Sequence, residues 1–119
     1  MAAGGVPPMI DLTARLVGSW LEARDETTDG LMVFRSSPHV FPRSRGAWGL
    51  VFHAGGRLEE IRTGRNDRAS VAEARWVLLS ESAVMVTFPA SARRPYLLHI
   101  VSCKADRLVV RRIAVEPQP

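Results

Sequence analysis

The first strand-like stretch of the chain carries charged side chains spaced two residues apart, which could bind a ligand or take part in a reaction. In an extended strand, Glu22, Arg24 and Glu26 fall on the face that also carries Trp20. Buried charges are costly unless paired, so a carboxylate and a guanidinium in one interior would pair with each other or orient a polar ligand. A carboxylate with a shifted pKa could also act as a general acid or base. The alternative is that a β-bulge, or a position at the rim, leaves these charges in solvent.

The three histidines are scattered along the chain, at positions 39, 53 and 99. His99 lies in a mainly apolar stretch, where an inward side chain could donate to a ligand carbonyl or act as a base; a hydrogen-bonded core histidine is the alternative. His39 lies in a long loop and His53 at the end of a hairpin. Together with the single cysteine, Cys103, they lack the spacing of a metal site, and no glycine-rich loop opens a long helix. The sequence therefore predicts no metal and no cofactor.

Arginine dominates the basic residues: fifteen of the 16 are arginine, against 12 acidic residues, for a formal net charge of +4. Arg93 and Arg94 stand just before Tyr96, and Arg43 and Arg45 lie in the long loop, so they could form a basic mouth that attracts anionic ligands. The alternative is a set of solvated charges. Because the arginines are spread along the chain and most have an acidic residue nearby, no nucleic-acid partner is predicted.

The chain of 119 residues is expected to form one domain over residues 9–115, with a flexible leader (1–8) before it and a tail (116–119) after it. A single cysteine excludes an internal disulfide. The first eight residues have neither the basic residue nor the apolar run of a secretory signal, and no run of about 18 apolar residues could span a membrane. We therefore expect a cytoplasmic protein that does not bind membranes.

Eight strand-like segments, joined mostly by tight turns, follow one short helical segment. The predicted helix spans residues 9–17, and the predicted strands span 20–27, 31–35, 47–53, 57–63, 74–79, 83–88, 96–103 and 107–115. Such a series predicts an all-β, eight-stranded antiparallel barrel in up-and-down order. The longest break, 36–46, contains Pro38 and Pro42, which exclude a central strand. It is expected at one mouth of the barrel, where it could act as a lid.

Aromatic side chains are placed either to line or to fill such a barrel. The aromatic residues that could line an apolar cavity are Phe34, Trp48, Phe52, Trp76, Phe88 and Tyr96. They are equally the core that a β-barrel of this size requires, and both interpretations stay open.

The Gly18-Ser19-Trp20 segment joins the short helix to the first strand. Glycine allows a sharp turn there, and Trp20 offers a large apolar side chain at one end of a core. Together with the eight strands that follow, this segment resembles the lipocalin-like (calycin) barrels, and in particular a small bacterial family of them. The segments that carry the bacterial likeness are 41–46, 49–52 and 64–68. The resemblance implies that Trp20 seals the closed barrel end and that a basic residue of the last strand, Arg111 or Arg112, packs across it as a cation–π pair.

The expected function is the binding of a small, partly apolar molecule in the barrel interior. The expected ligand-binding residues are Glu22, Arg24, Phe34, Trp48, Phe52, Trp76 and His99. One alternative is a small enzyme of cyclase or isomerase type, which needs mainly shape and one or two polar groups. A second alternative is a non-catalytic interaction or oligomerisation module, with a homodimer as one form. A carrier should have an accessible cavity. An enzyme should have a charged or histidine side chain that faces its cavity. An interaction module should have a filled interior and an exposed apolar patch.

Overall fold

The computed structural model describes residues 9–28, 30–36, 48–63 and 69–115. These residues form one helix and eight strands: α1 Met9–Leu16, β1 Gly18–Glu22, β2 Leu31–Ser36, β3 Trp48–Phe52, β4 Arg57–Thr63, β5 Ala69–Ser80, β6 Ala83–Thr87, β7 Tyr96–Cys103 and β8 Arg107–Ala114. The predicted all-β fold with a short leading helix is confirmed. The predicted leader, the tail and the lid segment from residue 37 onward lie outside the described residues. In the described part of the chain, no helix has the length and apolar character needed to cross a bilayer.

The strands close into a barrel in which every neighbouring pair is antiparallel. From β3 to β8 each strand pairs with the next one along the chain, in up-and-down order. The β1–β2 hairpin completes the circle, with β1 beside β3 and β2 beside β8. Closure gives each described strand a paired neighbour on both sides, which protects an antiparallel sheet of this size from edge-to-edge association.

The barrel has two different ends. At the helix end, where β1 and β8 begin and β3 and β7 finish, Leu12 and Leu16 of α1 are buried in the core. Arg15 Nη1 also donates to the carbonyl of Cys103, at the end of β7, over 3.4 Å. At the opposite end, called the far end below, β1, β4 and β8 finish and β3 and β7 begin. The helix thus covers one end of the barrel, and the far end is formed by strand termini and their links.

Gly18 and Trp20 form the joint between α1 and β1. Gly18 has a φ of 139°, a conformation that residues with a side chain rarely adopt. Trp20 is only 2% exposed, and its indole Nε1–H donates to the carbonyl of Leu16 over 2.9 Å. Carbonyl groups in the last turn of a helix have no partner within the helix. The indole therefore satisfies one of these groups while its ring packs in the core.

The first strand is shorter than the sequence predicts. β1 ends at Glu22, and the chain then turns: Glu26 N donates to the carbonyl of Ala23 over 3.0 Å, and Thr27 N donates to the carbonyl of Arg24 over 3.2 Å. The prediction of one strand over 20–27 is therefore wrong, because this turn breaks the alternation that would carry Arg24 and Glu26 to the inner face.

Apolar side chains from α1 and from all eight described strands fill the barrel interior in one continuous cluster. Phe52 and Trp76 pack edge to face, with ring centroids 5.2 Å apart and planes at 87°. The Trp76 indole Nε1–H donates to the carbonyl of His53 over 3.1 Å, so its polar edge is satisfied as well. Phe34 is completely buried in the same cluster. At these positions the interior is occupied by the protein's own side chains.

Candidate anion-binding site

Strand alternation and register bring a set of aromatic and charged side chains to the inner face of the far end. Trp48 opens β3 and is paired in register with Arg62 near the end of β4. Glu60 lies two residues before Arg62 and therefore on the same face, one layer deeper in the barrel. Seven residues form what is called the far-end cluster below: Trp48, Glu60, Arg62, Phe88, Arg93, Tyr96 and Arg112.

Glu60 is the charged residue at the centre of this cluster, and it is 1% exposed. The Tyr96 hydroxyl donates to its Oε2 over 2.9 Å. Its Oε1 lies 2.9 Å from Arg93 Nη2 and 3.3 Å from Arg62 Nε. A buried carboxylate is tolerated only when it is paired and hydrogen-bonded, and here both of its oxygens have partners. Glu60 thus holds a phenol and two guanidinium groups in fixed positions.

The rings of Trp48 and Tyr96 support two of the guanidinium groups. Arg62 Cζ lies 3.9 Å from the Trp48 ring centroid, and Arg112 Cζ lies 5.0 Å from the same centroid and 4.6 Å from that of Tyr96. The two rings are themselves 6.2 Å apart. A cation above a ring face gains about 0.5–2 kcal/mol, depending on how far it is shielded from water. These contacts hold the two guanidinium groups at the inner rim of the far end.

The link between β6 and β7 supplies the third guanidinium group. Ser91 N donates to the carbonyl of Phe88 over 3.1 Å, and Arg93 N donates to Ser91 Oγ over 3.1 Å, which turns the chain back over the barrel end. Arg93 Cζ then lies 4.0 Å from the Phe88 ring centroid. Its neighbour Arg94 is exposed, as Arg93 is, but does not belong to the cluster. The basic mouth that the sequence predicts around Arg93 and Arg94 is therefore represented in the far-end cluster by Arg93, while its other members, Arg43 and Arg45, lie outside the described residues.

Positive charge exceeds negative charge in the far-end cluster, which holds three guanidinium groups and one carboxylate. Burial lowers the pKa of Arg62, Glu60 opposes that shift, and repulsion from Arg93 and Arg112 adds to it. The pKa of Tyr96 lies far above its usual value, first because the phenol is buried and then because Glu60 is adjacent. The phenol therefore stays protonated and remains a hydrogen-bond donor at any physiological pH.

One donor of the cluster is not satisfied. Arg62 Nε is buried and has no hydrogen-bond acceptor among the described residues, because its N–H is not directed at the nearby Glu60 oxygen. A buried N–H without an acceptor costs roughly 1–3 kcal/mol. The cluster therefore has both unbalanced positive charge and unused donor capacity, and an anion would supply what is lacking.

Glu22, a predicted ligand-binding residue, positions Trp48 through the backbone. Its Oε1 accepts a hydrogen bond from Trp48 N over 3.2 Å, and its Oε2 accepts one from the Thr27 hydroxyl over 3.3 Å. Thr27 Oγ1 in turn accepts a bond from Val33 N over 3.1 Å. Glu22 thus ties the end of β1 to the start of β3 and to the β1–β2 turn.

The other predicted ligand-binding residues lie away from the far-end cluster. Phe34, Phe52 and Trp76 are buried among the packed side chains of the interior. Arg24 is exposed in the turn after β1. His99 is exposed on the outer face of β7, because its neighbours Leu98 and Ile100 take the inward positions. The inward orientation on which a role for His99 depends is therefore not present.

The two arginines of the last strand lie on opposite faces of β8. Both are exposed, but Arg112 follows the inward alternation of Leu108 and Val110 and stacks on Trp48 and Tyr96, whereas Arg111 faces outward. The resemblance implied a contact with Trp20 instead. That contact is not made, because Trp20 is joined to α1 at the helix end while Arg112 lies near the end of β8, at the far end.

Glu60 and Arg62 were not among the predicted site residues. The sequence does carry a signal for them. In β4 the buried Leu58 fixes the inner face, and alternation then puts Glu60 and Arg62 on that same face. Leu58, Glu60 and Arg62 are spaced two residues apart, which indicates an inward ion pair. The register of β4 with β3 is also needed to place that pair beside Trp48.

A surface pocket of about 200 Å³ lies outside the barrel, where β4 and β5 meet the β6–β7 link. Its lining consists of Arg57, Glu73, Ala74, Arg75, Pro89 and Ala90. Arg57 and Glu73 form an ion pair of 2.8 Å with both side chains more than half exposed, which is a solvated surface pair of small energetic weight. The volume is below the roughly 300–1,000 Å³ of small-molecule sites. Within the described ranges, moreover, no three His, Cys, Asp or Glu side chains come close enough to hold a metal ion.

Comparisons of the chain with protein-family models, with curated proteins and with solved structures gave no match. Function is therefore inferred from the side chains of the far-end cluster and from the sequence.

Proposed function

We propose that the protein binds a small molecule, with an anionic group and an apolar part, at the far end of its barrel. The observation that carries this proposal is the excess of three guanidinium groups, Arg62, Arg93 and Arg112, over the one carboxylate of the far-end cluster, Glu60. Guanidinium groups donate two parallel hydrogen bonds to carboxylates and phosphates, and they do so best when already held in place. Here aromatic rings and Glu60 hold them.

The aromatic rings of the cluster supply the apolar contact. Trp48 is 8% exposed at the rim, so a ligand bound to the guanidinium groups would reach the edge of its ring. The sequence favoured a ligand inside the barrel. Phe34, Phe52 and Trp76 are packed against other core side chains. We therefore place the ligand at the rim of the far end and not in the interior.

We also propose that the barrel is lipocalin-like and that the protein is cytoplasmic. The closed eight-stranded barrel and the short helix before Gly18-Ser19-Trp20 support a lipocalin-like protein of the bacterial calycin type. A single cysteine, Cys103, suits the reducing environment of the cytoplasm.

Benzoate, an apolar ring with one carboxylate, is a direct probe of this proposal. The chain has three tryptophans, and Trp20 and Trp76 donate their indole N–H groups to protein carbonyls at the helix end or in the core. In a ¹H–¹⁵N spectrum, benzoate should move the Trp48 indole signal, assigned by its loss in Trp48→Phe, and leave the other two in place. Movement of all three signals, or of none, would contradict binding at the far end.

Arg112→Gln should weaken benzoate binding by about tenfold, since one charge-assisted contact is lost. Arg111→Gln is the matched control, because it removes the same charge from the adjacent position on the outer face of β8. It should leave the dissociation constant unchanged. Equal weakening by the two substitutions would mean that only the net charge of the protein matters.

An interaction or oligomerisation module is the second candidate function, and a row of outward apolar residues favours it. Val77, Met85, Leu97 and Ile113 are paired in register across β5, β6, β7 and β8. Val77 is 58% exposed and Ile113 44%. A continuous apolar patch on the outside of a packed barrel is typical of a surface where another protein, or a second copy of the chain, docks.

Val77→Glu tests this second candidate as a homodimer. Light scattering during gel filtration should give a dimer for the natural protein and a monomer for the variant, because the charge would enter the centre of the interface. Val71→Glu is the control: Val71 is also exposed on the outer face of β5, but lies outside the row. A natural protein that stays monomeric at all concentrations would exclude the homodimer.

A further inference from the structure

We infer that the far-end cluster selects a phosphate monoester with an apolar group over singly charged anions. The inference rests on the proposed function and specifies its ligand: a group that carries two negative charges on one phosphorus centre.

The number of charges in the cluster matches a dianion. Three guanidinium groups, those of Arg62, Arg93 and Arg112, face one carboxylate, that of Glu60, so two positive charges remain unbalanced. Among the described residues, the Glu22 carboxylate also lies near this end, but its oxygens accept from Trp48 N and the Thr27 hydroxyl and it forms no ion pair with these three arginines. A monoanion would leave one excess charge in place, whereas a phosphate monoester would balance both.

Two of the guanidinium groups also lie close enough together for one compact group to contact both. Glu60 already accepts a hydrogen bond from Tyr96 and is ion-paired with Arg93, and among the described residues Arg112 forms no ion pair. In the described part of the chain, Arg62 keeps a buried Nε–H without an acceptor. The Cζ atoms of Arg62 and Arg112 lie 3.9 and 5.0 Å from the same Trp48 ring centroid, so they are at most about 9 Å apart. A phosphoryl group with N···O distances of about 2.8 Å to both guanidinium groups spans a separation within this limit.

The apolar group of the ligand would lie against the rim of the rings. The ring centroids of Trp48 and Tyr96 lie 6.2 Å apart, and those of Phe88 and Tyr96 lie 6.0 Å apart. An ester group of about the size of a phenyl ring can contact this aromatic edge while its phosphate faces the arginines.

Three ligands with the same ring separate charge from shape: phenyl phosphate, a dianion at pH 7.5; its methyl diester, methyl phenyl phosphate, a monoanion; and benzoate, also a monoanion. Dissociation constants are measured by calorimetry and by the Trp48 indole signal at one fixed ionic strength, since screening would otherwise mask the difference. Phenyl phosphate should bind at least about tenfold more tightly than either monoanion. Affinities within twofold of one another would overturn the selection and leave the proposed function standing, whereas no binding of any of the three would overturn both.

Two matched pairs of variants locate the effect. Arg112→Gln and Arg93→Gln should each remove most of the preference for phenyl phosphate. Arg111→Gln and Arg94→Gln, which change the neighbours outside the far-end cluster, should retain it. Circular dichroism checks that each variant is folded. If one variant does not fold, the other pair of variants still tests the inference. A preference that survives in both Arg112→Gln and Arg93→Gln would place the dianion elsewhere on the protein and overturn the inference.

Discussion

Trp20→Ala should lower the free energy of unfolding by about 3–5 kcal/mol, the range measured for large aromatic residues removed from packed cores. Trp20 is 2% exposed and belongs to the cluster that also contains Leu12 and Leu16 of α1. Its loss would leave a cavity between helix and barrel and would free the Leu16 carbonyl of its donor. Urea unfolding followed by circular dichroism measures the change.

Trp20→Phe separates the two contributions to that loss. Phenylalanine keeps most of the apolar ring but cannot donate to the Leu16 carbonyl, so it should cost only about 1–2 kcal/mol. Leu21→Ala, at the neighbouring half-buried position of β1, is the control for a general weakening of this strand. A loss below about 1 kcal/mol for Trp20→Ala would show that the indole does not hold α1 on the barrel.

Local patterns in the sequence predicted most of the strands. β4 and β7 have the predicted bounds, 57–63 and 96–103, because each is bordered by turn residues and carries β-branched or alternating side chains. β5 begins five residues earlier than predicted, at Ala69, since small residues such as Ala69, Ser70 and Ala72 give little strand signal of their own. Their strand conformation comes from pairing with β4.

Contacts between distant segments could not be predicted in the same way. The end of β1 depends on the Thr27 hydroxyl, which accepts a hydrogen bond from Val33 N and donates one to Glu22. The residue pattern of 20–27 alone does not predict these two hydrogen bonds. The position of β1 between β2 and β3 is likewise a property of the closed barrel.

The candidate site depends on such distant contacts throughout. Alternation within β4 indicates that Glu60 and Arg62 face inward, but the partners of Glu60 come from β7 and from the link before it. Which inward residues of different strands lie at the same height is set by the stagger of strands around the barrel. The sequence predicted Trp48 as a ligand-binding residue and Arg112 as a structural one, and the structure brings these two together with Glu60.

Glu60→Gln should destabilise the protein by about 2–3 kcal/mol. Glutamine keeps the shape of the side chain and can still accept from the Tyr96 hydroxyl, but its amide would replace the carboxylate that now faces Arg62 and Arg93. The loss should stay below the 3–5 kcal/mol of a fully buried broken pair. The reason is that the Arg62 and Arg93 side chains are 42% and 38% exposed, so water can take over part of their solvation.

Glu60→Gln should also strengthen anion binding. A variant that is less stable but binds the anion more tightly cannot be explained by partial unfolding. With Glu60 neutral, the excess positive charge of the far-end cluster rises by one and Arg93 loses a competing acceptor, so the benzoate dissociation constant should fall by about tenfold. Glu59→Gln is the matched control, since Glu59 lies next in the chain but pairs with His53 and Arg57 on the outer face. It should change stability by less than about 1 kcal/mol and leave binding unaltered. A Glu60→Gln protein as stable as the natural one would show that Glu60 does not anchor the cluster, and weaker benzoate binding by that variant would show that the anion does not lie among its arginines.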